Sequence, residues 1–288
     1  MGHFSFKRKK SLELKIVPLY KSFFRFLTAC QKGEAPWPAF WRHYYFPHRR
    51  FFESYFSLFP LVDRPALKGR VEAVTPAHYS RLRLLLQRKT VERILASTHR
   101  RCLSFIQPEE QQPVEAYLLI GFFSPEAFLM KLGEKLVIVF GLERYHDFSR
   151  LDIFYAHEFA HLLIERKKTA VPQEKRALWY LVTEGIACWF SSRLLPQHPL
   201  TDHLFLSRGR LNWCWQNQAL LRKIFTLYQR NEGKIRQLEQ QGDLNLGLPP
   251  RALHFLGYQA IERQAQELGD RSVEAIFDSP EELLKLEI

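Results

Sequence analysis

The chain has 288 residues, 46% of them hydrophobic and 25% charged, with a formal net charge of +12. That length and apolar content exclude a disordered chain and suffice for one buried core, expected as a single domain over residues 1–288. The four cysteines, Cys30, Cys102, Cys188 and Cys214, stand singly without a CxxC pair, which excludes a disulfide framework and a cysteine zinc ribbon and fits a reducing cytoplasm.

The opening MGHFSFKRKK is basic, but Glu13, Lys15 and Lys21 interrupt the apolar run that a signal peptide would need. Phe6 stands where a myristoylation pattern wants Ser or Thr. A cytoplasmic protein without a transmembrane segment is expected. Residues 1–105 hold 21 Lys+Arg against 6 Asp+Glu, so their surplus of 15 leaves the other 183 residues at −3. A basic face of this kind serves either as a solvated surface or as a contact for nucleic acid or anionic lipid.

In chain order, SLELKIVPLYKSFFRFLTACQKGE carries Leu14, Phe23, Phe26 and Leu27 as an approximate helical stripe broken near Pro18. The aromatic-rich PWPAFWRHYYFPHRRFFESYFSLFP follows and reads as core mass. Residues 76–101 predict one or two basic amphipathic helices, completing a helical N-terminal layer over 1–105. VEAYLLIGF (114–122) and KLVIVFGLE (135–143) are rich in Val, Ile and aromatics and predict strands of a small sheet. The second of these is expected to offer an edge for an extended peptide. Helices are then expected over the IFYAHEFAHLLIE stretch, over 174–195 and over LNWCWQNQALLRKIFTLYQR. A last helix is expected to open at Pro249 and Pro250 and to close at Gly269. The fold class is α+β, predominantly helical, with the sheet and metal-site helices in 106–288.

His157, Glu158 and His161 form H-E-x-x-H. Residues four apart on a helix project from one face, so two imidazoles can converge on one ion. Glu158 lies about 100° around the axis, too far to be a ligand but able to reach water on the open side as a general base. Ser149 and Asp152 resemble a capping box at the helix start. Catalytic zinc takes a third protein ligand. Glu165 is excluded, because eight residues from His157 is about 12 Å of rise. Residues 162–167, LLIERK, lack the Gly and His of the metzincin continuation. Glu184, in the middle of the apolar LWYLVTEGIACWF, is the candidate, since a buried carboxylate needs a cation, a proton or a metal. Gly185 beside it costs about 1 kcal/mol in a helix relative to Ala and implies close approach of another backbone. His254 and Tyr258, one turn apart around Gly257, are candidate oxyanion donors, with Tyr155 and Tyr180 as weaker ones.

H-E-F-A-H followed by T-E-G-I-A-C-W resembles the gluzincin arrangement, in which a glutamate from a downstream helix completes a His, His, Glu zinc site. More narrowly, PLYKSFFRFL, FPHRRFFESYF, YLLIGFF, KLVIVFGLERY and PPRALHFLGYQAIE together resemble a bacterial family of uncharacterised zinc-dependent proteases, a domain of unknown function. The resemblance implies a zincin-like fold, one Zn2+ held by His157, His161 and Glu184, base Glu158, and a peptide or protein substrate. Cys188 stands where well-studied gluzincins often carry an acid that orients a histidine. The alternative is a non-catalytic or structural zinc protein whose basic N-terminal third binds nucleic acid or an anionic surface.

Overall fold

The structure, a computed structural model, describes residues 12–59, 64–87, 90–106, 112–167 and 170–285; the basic run at 7–10 lies outside them. It divides into two compact units, one ending at Phe148 and the other beginning at Ser149. The sheet therefore belongs to the same unit as the N-terminal helices.

The first unit begins with strand β1 (Leu14–Val17) and helices α1 (Tyr20–Gln31), α2 (Pro36–Phe40), α3 (Arg49–Ser57), α4 (Arg64–Glu72), α5 (Ser80–Gln87) and α6 (Thr90–Ile106). Strands β2 (Val114–Leu119), β3 (Ala127–Leu132) and β4 (Lys135–Gly141) follow. Residues 14–17, expected as part of a helical stripe, are strand instead, because they pair in parallel with residues 114–117. The sheet order is β1-β2-β4-β3, with β2 parallel to β4 and β3 antiparallel to it. The expectation that 135–143 offers a free edge is corrected: β4 is flanked by β2 and β3, so its backbone groups are already paired. Gly133, at φ +62°, opens the two-residue turn between β3 and β4, where the hairpin's twist calls for a left-handed first residue.

Charge ties the sheet across its strands. Glu115 on β2 accepts from Lys135 on β4 at 2.9 Å and from its own strand's Tyr117 at 3.0 Å, and pairs with Lys15 on β1 at 3.6 Å. Burial works against its carboxylate, but these partners hold it below the usual range. The aromatic segment packs as core: Phe23, Phe26, Phe40, Tyr44, Phe52 and Tyr55 are buried. Phe23 meets Tyr44 and Tyr79 edge-on at 5.4 and 4.7 Å, a preferred aromatic geometry. Tyr44 and Tyr55 donate to the carbonyls of Ile120 and Gly121, both at 2.9 Å, pinning the chain that leaves β2.

The second unit comprises α7 (Leu151–Lys167), α8 (Arg176–Leu194), α9 (Leu200–His203), α10 (Arg208–Gln216), α11 (Gln218–Tyr228), α12 (Glu232–Gln241), α13 (Ala252–Leu268) and α14 (Ser272–Asp278). Both α7 and α8 are apolar around most of their circumference, as central buried helices are. α8 packs against α7 on one side and α13 on the other. The crossing with α13 is tight: a Cβ on Gly185 would overlap the Gly257 carbonyl, and one on Gly257 would overlap the Leu181 carbonyl oxygen. The close approach signalled by Gly185 is thus made by α13.

α13 begins at Ala252, two residues beyond the expected prolines, because Arg251 is left-handed at φ +67° and cannot be in the helix. It ends at Gly269 as expected. Residues 211–230, expected as one helix, divide at Asn217 into α10 and α11, where the backbone leaves helical angles. The four cysteines are free thiols. Among the described residues, no helix is long and apolar enough to cross a membrane.

Candidate metal centre

The motif lies in the middle of α7, with His157 and Glu158 buried and His161 one turn on. Asp152 at the start of this helix accepts the N–H of Ile153 at 2.9 Å and pairs with His198 Nε2 at 2.9 Å. The Nε2 atoms of His157 and His161 are 3.1 Å apart. Glu184, reaching in from α8, brings Oε2 to 3.4 Å from His157 Nε2 and 3.5 Å from His161 Nε2.

His254 arrives from the first turn of α13, and its Nε2 lies 3.2 Å from the same Glu184 oxygen. One donor atom each from His157, Glu184 and His254 fall within 4.8 Å of one another, a group that could hold a metal ion. Hydrogen-bonding capacity supports the fit: buried imidazole nitrogens and an ionised carboxylate directed at one spot are the donors a small divalent cation takes.

Electrostatics inside the group are strongly coupled. Burial pushes the His157 imidazole down to about 4. Burial acts the same way on His161, but Glu184, with Glu158 and Glu165, outweighs it and raises that ring to about 9. Glu184 is held well below the carboxylate range: burial opposes ionisation, and the surrounding histidines overcome it. Burial lifts Glu158 to about 7, with Glu184 adding to the rise and His161 opposing it.

Several supporting residues have little signal in the sequence. Glu239 of α12 is buried, and its Oε1 faces His254 Nδ1 while its Oε2 accepts the Leu253 N–H at 3.0 Å. Cys188, one turn after Glu184, sets its sulfur 3.9 Å from His157 Nδ1. Burial, reinforced by Glu184 and Glu239, keeps that thiol protonated. Phe205, left-handed at φ +54°, stands edge-on to His157 and His254 at 5.1 and 6.3 Å, with the Arg251 guanidinium 4.9 Å over its ring. Non-glycine residues in that conformation are a recognised mark of functional sites, and two of them meet here.

The other candidates lie apart from the donors or beside them. Tyr258 lies beside Ser192, two turns along α8 from Glu184, and near Glu262, and is not gathered with the donor atoms. Tyr155 is buried against Phe159. Tyr180 lies one turn before Glu184 under the Arg236 guanidinium, at 4.3 Å, and its hydroxyl is pushed up by burial and then by Glu184. Tyr180 and Thr183 also line a cavity of about 430 Å3 with Glu165, Arg176, Trp179 and Arg236. No protein-family model, curated protein or solved structure matches this chain.

Proposed function

We propose that this chain is a zinc-dependent metallopeptidase of gluzincin type with a zincin-like fold, in which His157, His161 and Glu184 hold one zinc ion and Glu158 is the general base. The observation that carries this reading is one carboxylate oxygen from α8 lying 3.4 and 3.5 Å from the Nε2 atoms of two histidines a turn apart on α7. A nitrogen-rich donor set with one carboxylate suits zinc. When bound, the metal would supply Lewis acidity, polarising a substrate carbonyl and lowering the pKa of water.

Glu158, next to the first histidine and outside the donor set, takes the proton from the attacking water and returns it to the leaving amine. Cys188 orients His157 by occupying its Nδ1 side, which leaves Nε2 facing Glu184. The cavity lined by Tyr180 and Thr183, the residue before Glu184, is the candidate substrate cleft. Its lining combines Arg176 and Arg236 with Glu165 and Glu232 around Trp179 and Tyr180, a mixture that suits a peptide better than a uniformly anionic ligand.

Purified protein should contain about one zinc per chain. Glu158→Gln should keep that zinc and lose hydrolysis of a denatured protein or peptide library. Hydrolysis retained by this variant would reject the base, and wild-type protein devoid of metal after zinc loading would reject the site.

A second reading makes the zinc structural and assigns the basic N-terminal third to nucleic acid or an anionic surface. It draws on a cavity of about 390 Å3 in the first unit, lined by Lys21, Arg25, Lys32 and Arg83, whose one acid, Glu34, is paired with Arg42 at 3.0 Å. Four cations around one concavity attract phosphate groups. A salt-sensitive gel shift with unrelated DNA or RNA, indifferent to chelator and accompanied by no peptide cleavage, would favour it.

A further inference from the structure

His254 is carried by a helix that has no part in the H-E-x-x-H motif, yet it is the histidine nearest to Glu184 Oε2: 3.2 Å, against 3.4 Å for His157 and 3.5 Å for His161. Three imidazole nitrogens from two helices thus converge on one oxygen of a third. Four ligands at about 2.0–2.2 Å around a tetrahedral zinc lie about 3.3–3.6 Å from one another. Four of the tetrahedron's six edges, at 3.1, 3.2, 3.4 and 3.5 Å, fall at or just under that length, and the His157 and His254 donor atoms lie within 4.8 Å of each other.

An oxyanion donor stands off from the ion. It sits beyond the substrate oxygen, so about 2 Å of metal–oxygen bond and about 2.9 Å of hydrogen bond separate it from the ion. His254 is as close to the shared carboxylate as the motif histidines are.

We infer that His254 is a fourth protein ligand, completing a His157, His161, His254 and Glu184 set, and that Glu239 is the positioning residue that holds its ring; this rests on the metal site proposed above. Glu239 is joined to the start of α13 at three points. Its Oε1 faces His254 Nδ1, its Oε2 accepts the Leu253 N–H at 3.0 Å, and its backbone carbonyl accepts the Arg251 N–H at 2.8 Å. A carboxylate on Nδ1 fixes the proton there and turns the Nε2 lone pair toward Glu184, the arrangement that commonly supports metal-bound histidines.

Four protein ligands fill a tetrahedron, whereas catalytic zinc keeps one position for water. Turnover at such a centre requires the shell to expand to five.

The test uses the full chain loaded with zinc or with cobalt(II). X-ray absorption at the zinc edge of the wild type should count three imidazoles; two would overturn the inference without any variant. Cobalt-loaded wild type should show the intense visible bands of a four-coordinate site. His254→Ala should shift those bands as water replaces an imidazole nitrogen, and Glu239→Gln should lower metal affinity by about 10–100-fold, with part of the loss recovered in Glu239→Asp. If His254→Ala and wild type share one affinity and one spectrum while His157→Ala loses the metal, the fourth ligand is rejected and the three-ligand site stands. If the wild type takes up neither ion, the site itself fails.

Discussion

Replacing Gly185 by Ala tests whether the α8–α13 crossing delivers His254 to the donor group. In an isolated helix the change stabilises by about 1 kcal/mol. At this position the new methyl would stand 3.0 Å from Gly257 Cα and nearer still to its carbonyl, where carbon atoms need about 3.5–4.0 Å. The helices must then part by about 1 Å or more. Overpacking of this kind costs about 1–3 kcal/mol, so the net loss of stability is about 0–2 kcal/mol after the propensity gain. The metal centre should feel the change more than the fold does, because ligand distances tolerate only about 0.2 Å. We expect a small drop in the denaturant midpoint, read by circular dichroism, and a fall in zinc affinity of tenfold or more (about 1.4 kcal/mol), read by competition with a chromogenic chelator. Unchanged zinc affinity together with a stability gain of about 1 kcal/mol would refute the reasoning, since it would mean that the two backbones do not meet at Gly185.

Three further outcomes are expected. Cys188→Ala removes the sulfur 3.9 Å from His157 Nδ1 and should weaken zinc binding by about tenfold, the lower end for a supporting residue; equal affinity in a zinc titration would show that the thiol does not orient the ring. Glu143 is half-buried, and desolvation raises its carboxyl above the ordinary 4.5 despite hydrogen bonds from Ser124 and Gly121. A raised folded value means that the native state holds the proton more tightly. Stability is then present below the ordinary value and lost as pH rises through the raised one; Glu143→Gln should flatten that slope in melts taken across acid to neutral pH, and parallel slopes would contradict the assignment. Phe23→Ala, at a fully buried ring within the aromatic cluster, should cost about 3–5 kcal/mol in chemical denaturation, and a loss under 1 kcal/mol would show that the cluster is not tightly packed.

Local pattern carried the helices that hold the metal donors. The spacing of His157 and His161, and the conflict of Glu184 and Gly185 with their apolar neighbours, marked α7 and α8 before any tertiary information. What local pattern could not supply was pairing at a distance. Leu14–Val17 alternates too briefly to declare itself a strand and becomes one by pairing with residues 100 positions later. β3 is marked in the chain only by Gly133-Glu134 between two apolar runs, a weak hairpin signal. Gly185 and Gly257 each indicated a close backbone approach, but nothing in a single chain says that they approach each other, and the place of His254 beside Glu184 depends on that meeting. Glu239 sits in EGKIRQLEQQ, a segment polar enough to read as a solvated helix. Its burial arises only from the helices around it.

The meeting of donors from α7, α8 and α13 makes any ion bound there a cross-link between segments about a hundred residues apart in sequence. Its grip is absent from the unfolded chain, so occupancy adds to the folding free energy by mass action, about 2.7 kcal/mol when free metal is a hundredfold above its dissociation constant. The melting temperature of the second unit then becomes a gauge of the surrounding metal supply, and starvation of the ion would loosen all three helices at once.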